Sequence, residues 1–169
     1  MNFLLRSMMT GLLLVSSSAM AIGTTIISTS PVPLDMTGKS VASVKWGSYL
    51  VNGIANCGSC HSTVVYKTGT DPFKGQPVEI NTATYLSGGK KYANNTITSA
   101  NLTPDATGKP AGLTFDQFRN VMRKGTDPED ATKLRQVHPW PIYKNMTNAD
   151  LKAIYEYLRA IPSLEMPVL

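Results

Sequence analysis

Cysteine and histidine are scarce in this chain, with two of each among its 169 residues. So few thiols exclude a disulfide scaffold. Charged residues make up 16% and the net charge is only +5. No block of basic residues occurs, so nucleic acid is not indicated as a partner. No apolar run reaches the roughly 20 residues that a bilayer-spanning helix needs. What is present is 42% hydrophobic content, at a length that suits one compact domain with its own core. A modestly basic face would suit docking to an acidic protein partner, and equally a solvated surface.

The chain opens MNFLLRSMMTGLLLVSSSAMA. Arg6 supplies a positive start, Met8 to Val15 a short apolar stretch, and Ala19-Met20-Ala21 a small-x-small cleavage site. Residues 1–21 are therefore expected to be a signal peptide, cut after Ala21, with the mature protein in the periplasm. The alternative is an uncleaved anchor, since no charge lies between Arg6 and Asp35. Membrane association is expected only in that case.

Both cysteines fall in one pentad, Cys57-Gly58-Ser59-Cys60-His61. A bond between them would staple nothing large and would be redox-active. A zinc site could draw on Cys57, Cys60, His61 and His138. The order of residues favours a third reading. C-x-x-C-H is the attachment signature of c-type haem. Two thiols add across the two vinyl groups, with the spacer on a helical turn, and the adjacent histidine lies under the iron. One covalent haem c is expected, held by Cys57 and Cys60, with His61 as proximal iron ligand. Export fits, because covalent haem attachment takes place outside the bacterial cytoplasm.

Three helices are expected around the pentad. Ser40 caps the first, in which Val41, Val44, Tyr49 and Ile54 recur near helical spacing. Gly47 inside it costs about 1 kcal/mol against alanine and implies close approach of another helix. Thr114 caps the second, with Gln117 three positions on and Gly125 at its end. Its buried face is Phe115, Phe118 and Met122, and Leu113 and Phe118 stand where a hydrophobic staple forms. Thr147 and Asp150 form the capping box of the third, where Leu151, Ile154, Tyr155 and Leu158 follow at i, i+3, i+4 and i+7. Pro162 stops it, and Tyr155 or Tyr157 is expected against Gly47. Residues 62–112 are rich in Gly, Pro and Asn and read as a loop wrapped over a cofactor. Short strands are expected near Val78-Glu79-Ile80 and Thr96-Ile97-Thr98.

On these features the chain resembles class I monohaem cytochromes c. More closely, it looks like the cytochrome c subunits of periplasmic quinoprotein or flavoprotein dehydrogenases, such as the alcohol and gluconate types. The motifs that carry this are WGSYLVNGIANCGSCHS, SANLTPD, LTFDQFRNVMRKG and PWPIYKNMTNADLKAIYEYLRAIP. The resemblance implies an all-α, cytochrome c-like fold: three main helices and long loops around one covalent haem. The expected organisation is a signal peptide (1–21), an N-terminal extension (22–39), a cytochrome c domain (40–162) and a C-terminal tail (163–169). The implied role is one-electron transfer without catalysis, from a dehydrogenase to a respiratory acceptor. The alternative is a haem enzyme or a gas or peroxide sensor with a labile sixth ligand. The resemblance also suggests that Pro104 presents a carbonyl to His61, against the plainer reading of an ordinary turn proline.

One departure concerns the distal ligand. Family members place a methionine directly before the proline of the ligand loop, QVHPWPIYKNM here, and this chain has His138 there. Met146 sits directly before Thr147, where it can staple onto Leu151. His138 is therefore expected as the distal iron ligand, with Met146 as the alternative.

Overall fold

The computed structural model describes residues 30–168. The expected signal peptide and the start of the extension lie outside the described residues. Among the described residues no helix is long and apolar enough to cross a membrane.

Ser40 caps α1 (Val41–Tyr49) by accepting from the Ser43 amide. The buried stripe of α1 is Val44, Gly47 and Ser48, continued by Val51, a spacing of i, i+3, i+4, i+7. Val41 and Ile54, expected on the buried face, are exposed. The stripe runs instead through the small residues that let a second helix close in. After Tyr49 the helix widens into a π turn, Leu50–Ile54, and Asn56 turns left-handed at φ 49°. That conformation suits asparagine better than most residues. It stops the first helix and starts α2 (Cys57–His61).

The closing partner of α1 is the last helix, α5 (Asn148–Ala160). Thr147 and Asp150 form its capping box, and Leu151, Ile154, Tyr155 and Leu158 are all buried, as their spacing predicted. A Cβ on Gly47 would sit 1.9 Å from the Ala153 carbonyl oxygen and 2.8 Å from Tyr157 Cβ. Tyr157 therefore lies against Gly47, together with Ala153, and Tyr155 packs elsewhere. Its ring meets Phe115 and Phe118 of α3 (Phe115–Lys124) at 5.5 and 5.6 Å, and its hydroxyl donates to the Leu113 carbonyl. Thr114 and Gln117 form the expected capping box of α3, and Gly125 ends it in the left-handed region. A short helix, α4 (Trp140–Tyr143), precedes α5.

The helical frame carries one small sheet. β1 (Lys91–Tyr92) and β2 (Ile97–Thr98) pair antiparallel, so the strand expected near Ile97 forms. The one expected near Val78 reduces to a single bridge between Tyr66 and Ile80. The fold is thus mostly helical with a small two-stranded sheet, rather than wholly α. The loop between the pentad and α3 also has more protein partners than its composition suggests. Tyr85 and Leu86 are buried in the core, while Val64, Phe73 and Val78 stay exposed.

Both ends of the described chain are stitched onto this frame. The Asp35 amide donates to the Ala160 carbonyl, and the Ser30 hydroxyl meets that of Tyr157 at 2.9 Å. At the other end Asn101 Nδ2 donates to the Leu164 carbonyl and the Leu164 amide to Thr103 Oγ1.

Candidate functional site

The pentad forms one helical turn, α2, which places Cys57 and Cys60 on the same side, three positions apart. Cys57 is partly buried and Cys60 exposed, and both are free thiols. Burial pushes the Cys57 thiol up to about 12, with the Cys60 sulfur adding to the shift. A thiol that starts exchange needs its pKa lowered toward neutrality, so the setting of Cys57 opposes that role for it. Among the described residues no three His, Cys, Asp or Glu side chains gather to hold a metal ion. The four candidate zinc ligands do not form one group.

His61 is held from two sides. Its backbone carbonyl accepts from the Gly88 amide at 2.8 Å. Its ring Nδ1 lies 2.8 Å from the Ala100 carbonyl oxygen, so Nδ1 carries the proton and donates, leaving Nε2 as the lone-pair nitrogen. Burial lowers the basicity of this ring, against the raising effect of the Ala100 bond, and Arg135 lowers it further. The expected carbonyl from Pro104 is not the one in place. Pro104 O accepts instead from the Ser163 hydroxyl at 2.6 Å, so the C-terminal segment has claimed it and Ala100, four residues earlier, serves His61. This approach depends on Gly88: a Cβ there would lie 2.5 Å from the Ala100 carbonyl carbon.

The segment that includes Gly88 also grips the pentad and the residue after it. Lys90 Nζ donates to the Ser59 carbonyl at 2.7 Å, Tyr92 to that of Cys60, and the Leu86 amide to Ser62 Oγ. The Tyr85 ring touches the Cβ position of Gly58. Its hydroxyl bonds Asn52 and Tyr157 in the core.

His138 lies on the loop before α4, near His61. Its ring is half-buried, and Nδ1 is buried with no hydrogen-bond partner. Burial lowers its pKa to about 4, and nearby His61 and Arg135 disfavour its charge further. The ring is therefore neutral at pH 7, the form that ligates metal. A buried imidazole nitrogen without a partner is costly unless something else fills its lone pair. Met146 has a different setting. It packs against the main hydrophobic cluster, as a residue in a hydrophobic staple would.

Sequence reasoning missed Tyr143. Its hydroxyl donates to the Ala55 carbonyl at 3.0 Å, and its ring meets His138 edge-on with centroids 5.5 Å apart. Burial and the sulfurs of Cys57 and Cys60 push this phenol up to about 12. It thus stands beside both the pentad and His138. Exposed apolar side chains flank the two stretches: Ile54 before the pentad, Leu134 and Val137 before His138, and Ile142 after it.

These residues fit a c-type haem. Two thiols share one face of a helical turn, one imidazole is oriented through Nδ1, and a second neutral imidazole carries an orphaned nitrogen. That donor set is of the kind a protein of the cytochrome c class presents.

No family model matches the chain. Sequence relatives do, and they are of that class. The chain is 32% identical over 118 residues to the gluconate 2-dehydrogenase cytochrome c subunit of Pantoea cypripedii, covering 69% of this chain and 22% of that protein. It is 30% identical over 118 residues to the fructose dehydrogenase cytochrome subunit of Gluconobacter japonicus, again over 69% of this chain and 21% of the relative. The cytochrome c subunit of the quinone alcohol dehydrogenase of Gluconacetobacter polyoxogenes is 30% identical over 117 residues, with the same two shares. The chain is therefore a cytochrome c resembling these dehydrogenase subunits, and it spans about a fifth of their length.

Proposed function

We propose that this chain is a one-electron carrier of the periplasm with a single haem c, taking electrons from a dehydrogenase and passing them to a respiratory acceptor. The observation that carries the proposal is the pairing of the two histidines. His61 sits on the pentad with Nδ1 engaged by Ala100, and His138 lies near enough for His61 to disfavour its charge, with a buried, unpartnered Nδ1. Haem c, when bound, supplies a one-electron iron couple whose potential follows from its axial ligands and its burial.

The residues divide the remaining work. Cys57 and Cys60 would hold the group by thioethers, and His61 and His138 would supply imidazole nitrogens to its iron. The Ala100 carbonyl fixes the ring of His61 and raises its basicity as a ligand. The protein performs no bond chemistry on a substrate.

Expression with a haem-attachment system and export, followed by acid–acetone extraction and a pyridine haemochrome assay, tests this reading. The colour should stay with the protein at one haem per chain and be lost in Cys57→Ala/Cys60→Ala. Haem that extracts, or none at all, would sink the proposal. Rapid carbon monoxide binding by the ferrous wild-type protein would point to the sensor or enzyme reading.

A further inference from the structure

The loop bearing His138 is fastened to α3 on both sides of the histidine, before it by the Arg135 amide, which donates to the Gly125 carbonyl at 2.8 Å. Trp140 covers Gly125 so closely that a Cβ there would lie 2.3 Å from the indole. Arg123 donates to the carbonyls of Lys144 and Met146, both at 2.7 Å, and to Asn148 Oδ1. None of these fastenings reaches the pentad. Among the described residues, the hydrogen bond that does is the one from Tyr143 to the Ala55 carbonyl, two positions before Cys57. The ring that makes it also stands edge-on to His138, tilted by 70°.

We propose that Tyr143 is a positioning residue for the distal ligand: its bond to Ala55 and its ring contact with His138 hold that imidazole at a set offset from the pentad and keep it on the iron. This rests on the haem reading above. Without the bond the loop stays on α3 through Trp140 and Arg123, but its distance from the pentad is no longer set. The distal imidazole then leaves the iron more often and external ligands enter faster.

The test uses the haem-loaded protein and stopped-flow binding of carbon monoxide to the ferrous form. Haemochrome content is measured first, so that failure of the haem reading shows itself separately. Tyr143→Phe removes only the hydroxyl and should speed binding by about three- to tenfold, the range expected for one neutral hydrogen bond. Tyr155→Phe is the control. It loses an equivalent phenol-to-carbonyl bond, to Leu113, and should lower thermal stability without changing the rate. In a His138→Ala background, Tyr143→Phe should have no further effect, because the ligand it positions is gone. An unchanged rate in Tyr143→Phe, an equal acceleration in Tyr155→Phe, or a full effect persisting without His138 would each overturn the proposal.

Discussion

The two histidines differ in the state of one nitrogen. His61 Nδ1 is engaged by Ala100, while His138 Nδ1 is buried and unpaired. An engaged Nδ1 is what a proximal imidazole requires, since it fixes the tautomer and the ring plane. On the proposed reading His138 is the distal ligand, and its Nδ1 makes no protein hydrogen bond among the described residues. Met146 is partly buried against the main hydrophobic cluster, with its carbonyl tied to Arg123. The ferric protein should therefore lack the near-infrared sulfur-to-iron charge-transfer band. His138→Ala should open the iron to carbon monoxide. Met146→Ala should leave the spectrum alone and cost about 1–3 kcal/mol by thermal melting, less than a fully buried methionine. A sulfur-ligation band that vanishes in Met146→Ala would reverse the assignment. Two imidazoles favour ferric iron, so the potential should lie below that of a His/Met relative.

At the scale of elements, the contact of α1 with α5 decides stability. Gly47 is the point of closest approach, with the Ala153 carbonyl where a Cβ would be. Gly47→Ala gains helix propensity of about 1 kcal/mol but must push two backbones apart. A net loss of about 2 kcal/mol is expected from such overpacking. Gly53→Ala is the comparison. Its Cβ would meet only the ring edge of Tyr49, at 3.4 Å, and it should melt within about 0.5 kcal/mol of wild type. Equal melting of the two variants would refute the close-packing account.

The same helix pair is joined by Asp150. Its carboxylate accepts from the Trp46 indole at 2.8 Å and from Thr147 in the capping box. Burial alone would raise its pKa, but the bonds from Trp46 and Thr147 outweigh it and hold the group below the usual value. A carboxyl depressed in the folded state stabilises fully above its unfolded pKa of about 4, and this stability fades as the pH falls through the folded value. Asp150→Ala should therefore cost about 1–2 kcal/mol at pH 7 and less once acid has protonated the wild-type group. Melting curves at pH 7 and pH 3 check this, and an equal cost at both would count against it.

For the molecule as a whole, the core formed by α1, α3 and α5 is continuous, yet the His138 side of the site keeps exposed apolar side chains such as Leu134, Val137 and Ile142. Exposed apolar surface clustered around one site marks a place where something apolar binds. Folding should accordingly depend on the haem. Cys57→Ala/Cys60→Ala should be largely unfolded by circular dichroism, and a cooperative, native-like chain without haem would contradict this.

What could be read from the sequence were the features that act within a few residues. The pentad on one helical turn, the caps at Ser40, Thr114 and Thr147 and the buried stripe of α5 all follow from local periodicity and short side-chain bonds to nearby amides. The close approach at Gly47 was legible too, because a glycine inside a helix needs a packing reason. Tertiary structure alone decided which carbonyl serves His61. A backbone carbonyl has no residue-type signature, and Ala100 holds the place only because Gly88 lets it come near while Ser163 occupies Pro104. The bond from Tyr143 to Ala55 was likewise invisible, since it joins segments more than eighty positions apart. The buried stripe of α1 shifted off Val41 and Ile54 for the same reason: contact with α5, not hydrophobicity, chose the face.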